Sequence, residues 1–217
     1  MDRPCIPRAL AAAGLDSIAT FDGVPPLPTH PDDSAWETTT GRIWFQVDCK
    51  GVADVLNGDA VLDARHLECI FKRMTRRLLA LSQQGWDTRH LADPYIIWSP
   101  RAHNTPPDHL CNAAMDNKMD FVWHDKNKVA EAMERKFCIK VCVDGGMRGP
   151  PGHPTQSAMG VTIYRRVIQQ SGPTHSYAYD PMYYSAQQLY NVSSAFQSES
   201  MALECALDTL SSFLRAC

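Results

Sequence analysis

Two short apolar runs that each stop at an aspartate constrain this chain more than any other feature: IWFQVD, residues 43–48, and FCIKVCVDGG, residues 137–146. Both are short and rich in β-branched and aromatic residues, so they read as buried strands. Around them strand and helix patterns alternate, which predicts an α/β fold. CKGVADVLNG after the first run spaces Val52, Val55 and Leu56 on one helical face. DARHLECIFKRMTRRLLALSQQG does the same with Leu67, Ile70, Phe71, Met74, Leu78 and Leu81, and stops at Gly85. DPYIIWSP reads as a strand closed by proline, PPDHLCNAAMDN as a helix opened by prolines, and KVAEAMERK as a helix or helical linker. In the second half SAMGVTIYRRVI alternates as a strand, and SYAYDPMYYSA is a third despite its internal proline. SSAFQSESMALECALDTLSSFL is a closing helix with a serine N-cap and Ala202, Cys205, Ala206 and Leu210 facing inward.

The 217 residues suit one large domain, or a domain with an arm. Residues 1–42, rich in proline, threonine and aspartate, are expected to form that arm, leaving 43–217 as the domain. A net charge of −3 supplies no global basic field, so contact with nucleic acid would need a local basic face. The eight cysteines form no CxxC pair, and most sit in apolar or periodic contexts. They are expected to be reduced and mostly buried, in an intracellular compartment, cytoplasm or nucleus. Neither a signal peptide nor a membrane span is expected, because no long apolar run is present.

Four acids stand where solubility alone does not explain them. Asp48 and Asp144 end the two strands, Asp108 opens the helix after the proline pair, and Glu199 lies early in the last helix. Singly, each has an ordinary reading as turn former, N-cap or dipole compensation. Brought together they would repel one another unless a divalent cation neutralised them.

The text around these acids resembles ribonuclease H domains. DGGMRGPPGHPTQSAMGVTIY is similar to that family's first hairpin, with an aspartate ending the first strand before a glycine-rich turn. SESMALECAL resembles its first helix, in which a glutamate (Glu199) is followed three residues later by alanine (Ala202). FQVDCKGVADVLNG resembles the fourth strand and next helix, carrying Asp48. WSPRAHNTPPDHLCNAA resembles the last strand and helix, with Arg101, Asn104 and Asp108. The order departs from the family, in which the acids run first-strand Asp, helix Glu, fourth-strand Asp, last-helix Asp. Moving residues 43–124 behind residue 217 restores that order, the mark of a circular permutation, with residues 118–136 bridging the old termini. Pairing of two half-domains between neighbouring chains would give the same text, so a monomer and a domain-swapped dimer both remain open.

The resemblance implies a five-stranded mixed sheet flanked by helices, in permuted order. It also implies a two-metal endonuclease of retroelement origin, acting on the RNA strand of RNA/DNA hybrids. Asp144, Glu199, Asp48 and Asp108 would hold two Mg2+ ions about 4 Å apart, with Mn2+ an alternative. His103 would assist proton transfer or product release, or is a solvent-facing histidine without consequence. Lys72, Arg73, Arg76 and Arg77 would form a basic handle on the DNA strand, or are an ordinary solvated helix face. Gly145 and Gly146, with Arg148 in the same turn, would approach the RNA strand, and Asn104 is a further substrate contact; tight-turn chemistry also accounts for the glycines. The rival from another class is a catalytically silent module of the same fold that binds nucleic acid or protein.

Overall fold

The structure is a computed structural model that describes residues 41–88, 96–149, 156–171 and 174–216. The expected arm, residues 1–42, lies almost wholly outside the described residues. The elements run β1 (Ile43–Val47), α1 (Lys50–Asn57), α2 (Glu68–Gln83), β2 (Ile96–Trp98), α3 (Thr105–Asn117), β3 (Phe121–His124), α4 (Lys126–Glu134), β4 (Ile139–Arg148), β5 (Gln156–Ser171), β6 (Thr174–Gln188) and α5 (Ala195–Ala216). They build an α/β fold around one mixed sheet of order β2-β1-β4-β5-β6-β3.

The sheet has six strands where five were expected. The extra one is β3, inside the stretch read as a bridge. It pairs antiparallel with β6, Phe121 opposite Ala186 and His124 opposite Tyr183. Lys118, in the left-handed region at φ 53°, turns the chain out of α3, and the Asp120 carboxylate accepts from the Gln188 amide at 2.7 Å. Trp123 then stacks on Tyr184, with centroids 5.6 Å apart. The pairing comes from β6, so a four-residue run carries little signal of its own.

Alternation along the strands sends side chains to two faces. Ile43, Phe45, Val47, Ile139, Val141 and Val143 face one layer, where α1, α2, α4 and α5 bury Val52, Phe71, Met74, Ala132, Ala202, Ala206 and Leu210 in the main core. Removing an aliphatic side chain of this size from water contributes about 1.5–3 kcal/mol. On the other face, Leu110, Cys111 and Ala114 of α3 pack with Cys142, Ala158, Tyr164 and Tyr184. Farther along this face Lys140 is 0% exposed, its ammonium 4.6 Å from the Trp44 ring centroid and 4.9 Å from that of Tyr179, a cation–π arrangement.

Two close approaches set the helix positions. A Cβ on Gly160 would stand 2.0 Å from the Pro107 carbonyl oxygen, so α3 lies directly against β5. One on Gly146 would stand 2.7 Å from Cys111 Sγ. The double glycine read as the strand's end lies instead within the ladder, Gly145 opposite Met159 and Gly146 opposite Ala158, and β4 continues to Arg148. The internal proline of β6 is accommodated beside a register irregularity, Pro181 opposite Tyr164. Among the described residues, no helix is long and apolar enough to cross a membrane.

Candidate metal centre

β1 and β4 run parallel and in register, Val47 opposite Val143, so Asp48, which follows β1, stands beside Asp144, which lies within β4 opposite Gly160. Glu199 reaches the same point from α5. That helix is started by Ser194, whose Oγ accepts from the Gln197 amide at 3.1 Å, while the Gln197 side chain accepts from the Ser193 amide at 3.0 Å. The exchange is of the capping-box kind and fixes the helix entry at Ser194, five residues before Glu199. Asp48, Asp144 and Glu199 each offer a carboxylate oxygen, and these atoms all lie within 4.8 Å of one another.

The cluster is dry and under-satisfied. Asp144 is 1% exposed and Glu199 8%. Asp48 Oδ1, both Asp144 oxygens and Glu199 Oε2 are buried without a hydrogen-bond partner. Burial, reinforced by the charges of Asp48 and Asp108, pushes the Asp144 carboxyl well above its ordinary range, and Arg101 opposes the shift only in part. Burial and then Asp144 and Asp48 push Glu199 up as well. Asp48 is raised by burial against the pull of Arg101. Unpartnered buried carboxylates crowded in this way are costly as anions, and a hard divalent cation would supply what they lack. All the donors are oxygens, which suits Mg2+, Mn2+ or Ca2+ better than softer metals.

The segment from Pro100 to Asp108 forms the rim. Gln46, buried in β1, donates through Nε2 to the His103 carbonyl at 2.7 Å, and Asn104, fully buried, donates through Nδ2 to the Val143 carbonyl at 2.7 Å. The 3-10 turn Arg101–His103 is thereby tied to both acid-bearing strands. Asp108, in the first turn of α3, stays outside the three-acid group. Its Oδ1 accepts from Arg101 Nε at 2.9 Å and Nη2 at 2.6 Å, and its Oδ2 accepts from Asn112 at 3.2 Å. The Arg101 guanidinium also lies 3.7 Å from Asp48 Oδ2 and 3.8 Å from Asp144 Oδ1.

Of the expected site residues, Asp48, Asp144 and Glu199 converge, and Asp108 adjoins them through Arg101. His103 lies on the rim turn, and Asn104 serves as an internal strut. Gly145 and Gly146 have a packing reason, since α5 and α3 occupy the space above their Cα atoms. Arg148 donates to Asn112 Oδ1 at 2.9 Å and pairs with Asp116, both on α3. On α2, Lys72 pairs with Glu68 at 2.9 Å, Arg73 with Glu204 and Arg77 with Asp208, so two of the four cations hold α2 to α5; Arg76 is exposed. Sequence reasoning missed the central place of Arg101 and the strut Gln46. The available signal was a glutamine inside the otherwise apolar IWFQV strand.

No family model matches this sequence, and no curated protein or solved structure matches it.

Proposed function

We propose that this chain is a permuted ribonuclease H-type endonuclease that hydrolyses the RNA strand of RNA/DNA hybrids with divalent metal. The observation that carries the proposal is the convergence of Asp48, Asp144 and Glu199 from β1, β4 and α5 within 4.8 Å. Counting strands from β4 makes β1 the fourth and β2 the fifth, the ranks that the resemblance assigns to their text. In this one chain β1 pairs with β4 and β2 with β1, the neighbours that an intramolecular permutation requires.

In this reading Asp144, Asp48 and Glu199 would hold the metal ions, and Asp108 would complete the set from the rim. Bound Mg2+ or Mn2+ would supply an activated water and stabilise the leaving oxygen. The protein's own residues bury Asp144 and Glu199 and align Asp48 with Asp144 through the β1–β4 register. Lys72 and Arg76 are the α2 cations best placed to meet a nucleic-acid backbone, since neither holds α5.

A second reading, a silent module that binds nucleic acid or protein, is favoured by one observation: Asp108 is engaged by Arg101 instead of grouped with the other three acids. Both are tested by incubating labelled RNA/DNA hybrid, and single- and double-stranded controls, with wild type and Asp144→Asn in Mg2+ or EDTA. Metal-dependent cleavage of the RNA strand, absent in the variant, is expected. Binding without cleavage by folded, metal-supplied protein would favour the silent module.

A further inference from the structure

We infer that Arg101 is an internal counter-cation of the acidic centre, which competes with divalent metal for the same carboxylates and, when metal displaces it, becomes available to a phosphodiester oxygen. The inference rests on the metal-centre reading above.

The guanidinium is the one cation among the described residues that the ion pairs place on three of the acids at once: Asp108 at 2.6 Å, Asp144 at 3.8 Å and Asp48 at 3.7 Å. Its position differs from that of a structural salt bridge in two respects. Only the Asp108 contact is short, so the guanidinium leans toward Asp144 and Asp48 without satisfying them, and both Asp144 oxygens still lack a hydrogen-bond partner. The side chain is also 67% exposed, while the carboxylate it leans on is 1% exposed. A largely exposed cation at the mouth of a buried anionic site can be exchanged without disturbing the core. Its base is not mobile, because Gln46 and Asn104 clamp the turn that carries it.

A divalent ion bound by Asp48, Asp144 and Glu199 brings two charges to the position Arg101 half-neutralises with one. The two cations repel, and Arg101 then has every reason to leave Asp144 and Asp48. Its planar fork of donors matches a phosphate as well as a carboxylate, which a lysine does not reproduce. Apparent metal affinity is reduced by the fraction of molecules in which the guanidinium occupies the site.

The test is titration of full-length protein with Mn2+, followed by calorimetry or electron paramagnetic resonance, for wild type, Arg101→Gln, Arg101→Lys and Asp144→Asn, with circular dichroism as a check on folding. Expected are binding by wild type, none by Asp144→Asn, and tightening of about five- to tenfold in Arg101→Gln. Arg101→Lys, which keeps the charge, should remain within about twofold of wild type. Equal or weaker binding by Arg101→Gln, with wild type binding normally, overturns the inference and leaves the metal centre standing. Absence of Mn2+ binding by wild type, or binding that Asp144→Asn does not alter, overturns the metal centre and this inference together.

Discussion

A Cβ placed on Gly145 would stand 2.3 Å from the main-chain nitrogen of Glu199. The strand that carries one acid and the helix that carries another touch backbone to backbone, with no side chain between them. Gly145→Ala must therefore push α5 away from β4. A loss of about 1–3 kcal/mol in stability is expected in urea unfolding, together with weaker Mn2+ binding because Glu199 moves with the helix. Unchanged metal affinity in a destabilised variant would show that the helix position does not govern the site.

Metal-free protein should lose stability as pH rises. Asp144 is raised from 3.8 to about 7 and Glu199 from 4.5 to about 10. Between those limits the folded chain holds protons that the unfolded chain has released, so each unit of pH rise favours unfolding. The loss begins near pH 4, passes through neutrality for Asp144 and continues toward pH 10 for Glu199. Mg2+ competes with those protons, so the rise in Tm that it produces should be larger at pH 8 than at pH 5. Melting curves in EDTA and in Mg2+ across that range decide it, and a flat difference would count against a carboxylate metal site.

Asp144→Asn should stabilise the metal-free protein while removing its metal response. Replacing this buried acid by a neutral amide of the same shape removes the cost of burying its charge and then the repulsion from Asp48 and Asp108, a gain on the order of 2 kcal/mol at neutral pH. Chemical unfolding in EDTA, compared with wild type, measures it; a destabilised variant would mean that the carboxylate is satisfied in the folded state.

The α2 cations should separate into two kinds. Arg73→Ala removes the pairing with Glu204 and should cost about 0.2–1 kcal/mol of stability. The double variant Lys72→Ala, Arg76→Ala should leave stability within about 0.5 kcal/mol. It should nevertheless weaken hybrid binding and lower the salt dependence by about one contact per cation removed. An unchanged salt slope would return α2 to the status of a plain solvated face.

The end of β1 was readable because an apolar run that stops at an acid is a local pattern, and Asp48 lies where that pattern placed it; Asp144 does not end its strand, since β4 runs on to Arg148. Most helices were legible from periodicity for the same reason, with Leu67, Met74, Leu78 and Leu81 all buried. β3 was not, because four residues with one buried phenylalanine gain their meaning from Ala186 and Tyr183 on another strand. Gly145 and Gly146 suggested a turn, and only the helices above them reveal a ladder that has room for nothing larger. Arg101 could be quoted as part of a segment, but its position among three acids from separate elements depends on a tertiary arrangement that no local spacing encodes.

The register that aligns Asp48 with Asp144 also joins distant parts of the chain, since Ile43 pairs with Ile139. Strand β1 leaves the ribosome 96 residues ahead of that partner, and at about 5–20 residues per second it waits roughly 5–20 s. In that interval a five-residue strand has no central strand to dock on, and its other neighbour, β2, joins it only once residues 96–98 have been made. A register between strands so far apart in the chain thus places a vulnerable moment between the making of β1 and the making of β4, and slowing or speeding translation between α2 and β4 should alter how much of the chain reaches the folded state.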